Sequence, residues 1–337
     1  MRFRLTSLNS AKILNRMEGR KKIAYLIAAH NDPEHLERLI NVLDDAADFF
    51  IHIDKKQRIE PFLERIDKPN VIFLEDQDRI KVYWGGFSQV RATLNLLRKC
   101  LEKNDRSHSA YKKVVFISGA DYPIKSNDYI HRFFEQHETI NFMRGMNITN
   151  ADTKKYNYCV CNYLFFDFFI YTPNVTRVVR KAMNLAGNFL KKKPNYVTNK
   201  EGHKLDIFHG SSWWALNIDV VRYIQIYTVQ HKMISKYFKC SLASDEKFFH
   251  TIFFNSEFSN SNLYGGEEPY VPFTSAFANI HMIDPSLTKW FDLSDFDKIK
   301  NADQLFVRKV SSLSSKDLLD KIDSDLLKRD TRSYNGI

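Results

Sequence analysis

Glycine is scarce. Only 11 of the 337 residues are glycine, below the ~7% average, which excludes glycine-rich and collagen-like architectures. Cysteine is scarcer still. The four residues Cys100, Cys159, Cys161 and Cys240 form no CxxC pair and no disulfide framework, the pattern expected of a reducing compartment. Cys159 and Cys161 stand too close for the usual ~2–4-residue spacing of zinc ligands. No long hydrophobic run occurs: the longest apolar stretch, Tyr163 to Tyr171, is broken by Asp167 and falls far short of the ~20 residues of a spanning helix. The first 22 residues lack an apolar h-region and do not read as a signal peptide. There is no GxxxxGK[ST] loop, no GxGxxG fingerprint, no GxSxG elbow and no HExxH. The 11 histidines are scattered without metal-ligand spacing.

Aromatic residues and positive charge are plentiful. The chain holds 27 Phe and 16 Tyr, with 44% hydrophobic and 27% charged residues. That excludes disorder over most of its length and supplies a large core. Its size fits one large α/β domain or two smaller ones. The net charge of +10 and pI near 9.2 call for a polyanionic partner: nucleic acid, an anionic membrane face or a phosphorylated substrate. The basic residues are spread out and match no nucleic-acid-binding module, so nucleic acid is not expected. Near the N-terminus, Leu5, Leu8, Ile13, Leu14 and Met17 are interleaved with basic residues. This pattern fits either a solvated arm or a basic amphipathic helix on a membrane surface.

Hydrophobic patterning predicts alternating strands and helices. Ile23 to Ala29 is a short continuous apolar run, as in a buried parallel strand. Asn31 or Asp32 can cap a helix with Pro33 in its first turn and Leu36, Leu39, Ile40 and Leu43 on one face. Further strands are predicted over Phe49 to Ile53, Val71 to Leu74 and Lys113 to Ser118, with a helix over Phe87 to Leu101. This order predicts an α/β fold, one large domain whose mostly parallel central sheet is flanked by helices. Later, Phe208 to Asn217 reads as a strand entering a turn, Val220 to Ile226 as a helix, and Asp245 to Phe254 as a helix with Ser244 at its N-cap. The expected organisation is a basic arm over 1–21, a domain over 22–310 and a charged tail over 311–337. The domain divides into a nucleotide-binding half, 22–140, and an acceptor and catalytic half, 141–310.

In parallel sheets, ligands bind beyond the carboxyl ends of the strands. His30, Asn31, Asp54, Lys55, Tyr83 to Gly86 and Gly119 to Tyr122 fall there. Asp76-Gln77-Asp78 has the Asp-x-Asp form that can hold a divalent cation, but two acids so spaced also occur in any solvated turn. Asp295-Phe296-Asp297 has the same form and reads as helix N-terminal acids.

Five segments, in order, carry a resemblance: Ile23–His30 (IAYLIAAH), Phe50–Lys56 (FIHIDKK), Ser118–Ser126 (SGADYPIKS), Gly210–Asn217 (GSSWWALN) and Ser244–Thr251 (SDEKFFHT). Each is short, but the ordered set resembles the core-2/I-branching β-1,6-N-acetylglucosaminyltransferases and peptide O-xylosyltransferases, glycosyltransferase family 14. It covers Lys22 to Val310. The resemblance implies a GT-A-type fold, a UDP-sugar donor, inversion at the anomeric carbon and no metal cofactor, with basic side chains stabilising the departing diphosphate. Segment 144–204 matches poorly and is where acceptor specificity would be set.

An inverting transfer needs a carboxylate to take the acceptor proton and positive charge on the leaving pyrophosphate. The resemblance places the base at Glu246, with Asp245 orienting it. It places the diphosphate cation at Lys309, with Arg308 assisting. A second phosphate-binding cation falls at His281, with Lys289 as substitute. Nucleotide contacts are expected from Ala28, Ala29, His30, Asp54 and Tyr83. Asp121 either faces the donor or fixes its own turn. Of Trp213 and Trp214, at most one is expected to face sugar, because neighbours on a strand point to opposite faces. Trp84 reads as core or cleft.

The expected activity is transfer of GlcNAc, or alternatively xylose, from a UDP-sugar to a glycan or lipid-linked glycan acceptor. The expected setting is the cytoplasm, with peripheral contact to an anionic membrane. An inactive carbohydrate-binding relative and a basic nucleic-acid-binding protein are the readings of another class.

Overall fold

The computed structural model describes residues 21–328, except 45, 108–109, 150–153, 171, 272–277 and 279, and except the side chains of 154–157. The expected N-terminal arm, apart from Lys21, lies outside the described residues. The principal elements are β1 (Ile23–Ala29), α1 (Pro33–Leu43), β2 (Ala47–Ile53), β3 (Val71–Phe73), α2 (Ser88–Arg106), β4 (Lys113–Ser118), β5 (Asp121–Pro123), α3 (Asn127–Gln136), α4 (Pro173–Gly187), β6 (Ala215–Leu216), α5 (Ile218–Gln230), α6 (Asp245–Phe254), β7 (His281–Ile283), β8 (Phe306–Arg308) and α7 (Lys316–Lys321).

The central sheet runs β6-β4-β1-β2-β3. β4, β1, β2 and β3 are parallel, and β6 alone is antiparallel to its neighbour. The apolar run of β1 is explained by burial on both sides. Ala24 and Leu26 face one core with Leu96 and Leu97 of α2. Ile23, Tyr25 and Ile27 face the other with Leu36, Leu39 and Ile40 of α1. Successive side chains alternate between faces, so a strand covered on both must be apolar throughout. The helix after β1 starts as its sequence dictates: the Asp32 carboxylate accepts from the His35 N–H at 3.1 Å, and Pro33 opens the first turn.

A second, three-stranded sheet runs β7-β8-β5. β7 and β8 are parallel, β8 and β5 antiparallel, and the register sets Arg308 directly opposite Asp121. The two sheets are joined through β4 and β5, separated only by Gly119 and Ala120.

Two expectations are corrected. Phe208 to Asn217 holds more than a strand entering a turn. It forms two short strands, Phe208–His209 and Ala215–Leu216, separated by a turn. The segment from 311, expected to be a charged tail outside the domain, packs on it as far as it is described. α7 and the turn after it bury Leu318, Leu319 and Ile322 against the α1 side of the sheet. Asp323 is buried and accepts from Arg38 Nη2 at 2.8 Å and from the Tyr122 hydroxyl at 2.7 Å. Replacing Asp323 with alanine leaves Arg38 short of its buried partner. The expected cost is ~3 kcal/mol, read as a lower urea midpoint with an unchanged m-value.

Candidate active site

Three chain segments meet at the carboxyl edge of the central sheet. The first is the donor-side edge of β1 and β2. The Asp54 N–H donates to Ala29 O at 2.9 Å, and the Gly119 N–H donates to Ala28 O at 3.0 Å. A side chain at 119 would crowd Ala29, with Cβ atoms 2.7 Å apart, so glycine lets the strand ends close up. His30 follows Ala29 and is exposed. Asp54 is buried, accepts from the N–H groups of Lys56 and Val82 at 2.9 and 3.3 Å, and pairs with Lys56 Nζ at 3.3 Å. Its carboxylate therefore fixes this loop. Tyr83 stacks on Phe169, centroids 5.4 Å apart, and Lys56 Nζ lies 4.8 Å from its ring centre.

The second segment is cationic. Arg308 Nη1 donates to Asp121 Oδ1 at 2.7 Å and also contacts the Ser118 hydroxyl. The remaining valences of the Asp121 carboxylate are filled by the Ser118 N–H at 2.7 Å, the Ser118 hydroxyl at 2.9 Å and His281 Nε2 at 3.1 Å. Burial alone would raise this carboxyl, but the charges of Arg308 and His281 outweigh it and hold Asp121 well below the usual carboxylate range. Lys309 follows Arg308. Its ammonium is shifted down by partial burial and by Arg308, against the pull of Asp121. Burial lowers the His30 imidazole, Asp54 opposes that shift, and Lys56, Arg308 and Lys309 reinforce it. The Gly119 N–H bond to Ala28 O and the contact of Arg308 with Ser118 bring the two segments together.

Three sequence-based assignments are corrected here. Asp121 does not face a ligand: it is fully buried and both oxygens hold protein groups, so it is the anchor of Arg308 and of its own turn. His281 is not a phosphate-binding cation. Its side chain is buried, stacked on Phe306 at 5.3 Å and hydrogen-bonded to Asp121. Lys289 does not replace it, because its ammonium is paired with Asp295 at 2.5 Å and its charged neighbours are Asp295, Asp284 and Asp292 rather than those of Lys309.

The third segment is the start of α6. Ser244 occupies the N-cap position, but its hydroxyl donates to Phe238 O and Ser241 O, at 2.8 and 3.0 Å, rather than capping the helix. Asp245 is buried and accepts from the Ser212 hydroxyl at 2.6 Å and from Gln89 Nε2 at 3.1 Å. Burial raises its carboxyl, with the Ser212 hydrogen bond and Lys247 opposing. Glu246, in contrast, keeps 37% of its side chain exposed, with His209 Nδ1 3.9 Å from Oε2. The Gly210 N–H donates to Glu246 O at 2.9 Å. A Cβ at 210 would run into the Arg144 carbonyl and the His250 ring, so only glycine lets segment 209–213 lie along the first turn of α6.

That segment bridges the acidic and cationic sides. Ser212 holds Asp245, and the ring of Trp213 carries the Arg308 guanidinium carbon 4.3 Å from its centroid while stacking on Phe116 at 5.3 Å. Trp213 therefore supports Arg308 through a cation–π contact and is corrected from a sugar platform. Trp214 is fully buried and belongs to the core, so it too is removed from the sugar site. Neither lies on a strand, and both rings pack on Phe116. Trp84 is 80% exposed, which removes the core alternative. Its loop abuts α6, with Ala243 N–H donating to Gly85 O at 2.9 Å.

Sequence reasoning missed Ser212, Gln89 and Lys56. Ser212 and Lys56 sit inside two of the resembling segments, and that was the available signal. Gln89 reaches Asp245 across 156 positions, and no local pattern announces it. Asp76 pairs with Lys55 at 3.0 Å, and Asp78 with Arg98 at 2.6 Å.

Comparison with known proteins identifies the family. Xylosyltransferase 1 of Rattus norvegicus is 25% identical over 244 residues, which is 70% of this chain and 26% of that protein. Beta-1,3-galactosyl-O-glycosyl-glycoprotein beta-1,6-N-acetylglucosaminyltransferase 4 of Mus musculus is 23% identical over 249 residues, 72% of this chain and 49% of that protein. The chain thus spans between a quarter and a half of the length of these relatives. The family described as Core-2/I-Branching enzyme matches residues 23–266, well over half of the sequence and inclusive of Glu246, and the chain belongs to that family.

Proposed function

We propose that this protein is an inverting glycosyltransferase that moves a sugar from a UDP-sugar to a hydroxyl of a glycan acceptor, without a metal ion. The observation that carries this reading is that Ser212 and Trp213 link the start of α6, with its partly exposed Glu246, to the anchored Arg308, which Lys309 follows in the chain. Glu246 takes the acceptor proton as the hydroxyl attacks the anomeric carbon. Arg308 and Lys309 stabilise the charge that develops on the leaving diphosphate. Asp121 aims Arg308 from below and Trp213 from its face, so the guanidinium is preorganised. The remaining N–H groups of its planar fork can pair with two oxygens of a phosphate. Ala28, Ala29, His30 and the loop held by Asp54 form the nucleoside end. Trp84, beside α6 and largely exposed, is the sugar-facing aromatic of this site. Family membership supports the reading, and the names of the two relatives support GlcNAc or xylose as the donor sugar.

The test is UDP release from a panel of UDP-sugars with a mixed glycan acceptor pool. Turnover of UDP-GlcNAc is the expected result. Turnover of UDP-xylose in its place would move the protein to the xylosyl branch. An absence of turnover together with an absence of UDP binding would contradict the transferase reading.

A further inference from the structure

Helix α4 turns two polar side chains to the protein: the Thr176 hydroxyl donates to Ile170 O at 2.7 Å and accepts from the Ile170 N–H at 3.0 Å, and Asn184 Oδ1 accepts from the Phe165 N–H at 2.8 Å. Just past the helix, Asn188 Oδ1 accepts from Asn162 Nδ2 at 2.7 Å. Its apolar residues face solvent. Val178 is 68% exposed, Leu185 61% and Phe189 86%, with Val175 and Leu190 also exposed. Positions 175, 178, 182, 185 and 189 recur three and four apart, so these side chains form one stripe. A contiguous exposed apolar face on a soluble domain marks an interaction surface.

The charge flanking the stripe selects its partner. Between Asp167 and Glu201 there is no acidic residue, while Arg177, Arg180, Lys181, Lys191, Lys192, Lys193 and Lys200 are all basic. Arg177, Lys181, Lys191 and Lys192 are exposed. A second copy of the chain docked on this face would set these cations against themselves. An anionic bilayer meets both requirements at once, because headgroups neutralise the cations and the acyl boundary takes the apolar stripe.

We propose that α4, continued through Phe189 and Leu190, is a membrane-surface binding face for anionic phospholipid. The face adjoins the candidate active site. Phe169, just before α4, stacks on Tyr83, and the Asp167 carboxylate accepts from the Ser88 N–H at 2.9 Å. Docking therefore holds the loop bearing Trp84 close to the bilayer, where a lipid-linked acceptor lies. The binding itself stands independently of the transferase reading, since it rests on α4 alone.

The experiment is co-sedimentation of the full chain with phosphatidylcholine vesicles and with phosphatidylcholine–phosphatidylglycerol vesicles. The wild type is expected to bind the second and not the first. Combined Val178→Ser, Leu185→Ser and Phe189→Ser is expected to weaken binding at least tenfold, with an unchanged melting temperature because these side chains are exposed. Combined Lys181→Glu, Lys191→Glu and Lys192→Glu is expected to weaken it on the order of 100-fold. No binding to the anionic vesicles would overturn the proposal. So would binding that survives both sets of substitutions, which would place it elsewhere in the chain. Concentration-dependent dimerisation abolished by the apolar substitutions would overturn it in favour of a second copy.

Discussion

Glu246→Gln is expected to lower kcat by ~10²–10⁴-fold, the usual contribution of a general base, while leaving UDP affinity nearly unchanged. Glutamine is nearly isosteric and cannot accept the acceptor proton. The proposed base is Glu246 rather than Asp245 because, of the two, Glu246 keeps its side chain partly open to solvent. Asp245 is buried behind it and holds Ser212 and Gln89. Asp245→Asn is therefore a change in positioning, and its effect should be smaller. A Glu246→Gln enzyme retaining a tenth of the wild-type rate would remove Glu246 as base.

Arg308→Ala and Lys309→Ala are each expected to cost ~10²–10³-fold in kcat, as loss of a preorganised charge at a developing anion does. Unlike Glu246→Gln, they should also weaken UDP binding, because the diphosphate carries charge before and after transfer. Arg308→Lys keeps the charge but loses the fork that Asp121 anchors and the flat face that rests on Trp213, so it should recover only part of the rate. Full activity in Arg308→Ala would place the leaving-group charge elsewhere.

The elements that were legible in the sequence are those whose partners are local or whose burial is complete. β1 and β4 were readable because central parallel strands must be apolar on both faces, and α1 because Asp32, Pro33 and its leucine spacing all agree. The second short strand after Phe208 was not, because Ala215 and Leu216 become a strand through antiparallel pairing with Val115 and Val114, distant in sequence. The segment after 310 looked like a charged tail because lysine, arginine and aspartate recur along it. Its function as a packed element depends on Leu318, Leu319 and Ile322 and on one buried acid, Asp323.

In the site, Glu246 lies in one of the resembling segments, and Arg308 and Lys309 were singled out as adjacent basic residues. Their support was not legible. Asp121 and Arg308 are 187 positions apart and meet only because β5 and β8 pair in register. For the same reason His281 could be placed near the cations by sequence but not recognised as buried beneath them. The tryptophans were misjudged because alternation applies to strands, and Trp213-Trp214 lies in the turn that precedes one.

The central claim is that fixed cations take the place of a metal at the leaving diphosphate. The most direct test is the rate of UDP release from the preferred UDP-sugar in EDTA, against the rate with added Mn²⁺. The account predicts equal rates in the two conditions. Turnover abolished by EDTA and restored by Mn²⁺ would contradict it and would return attention to Asp76 and Asp78.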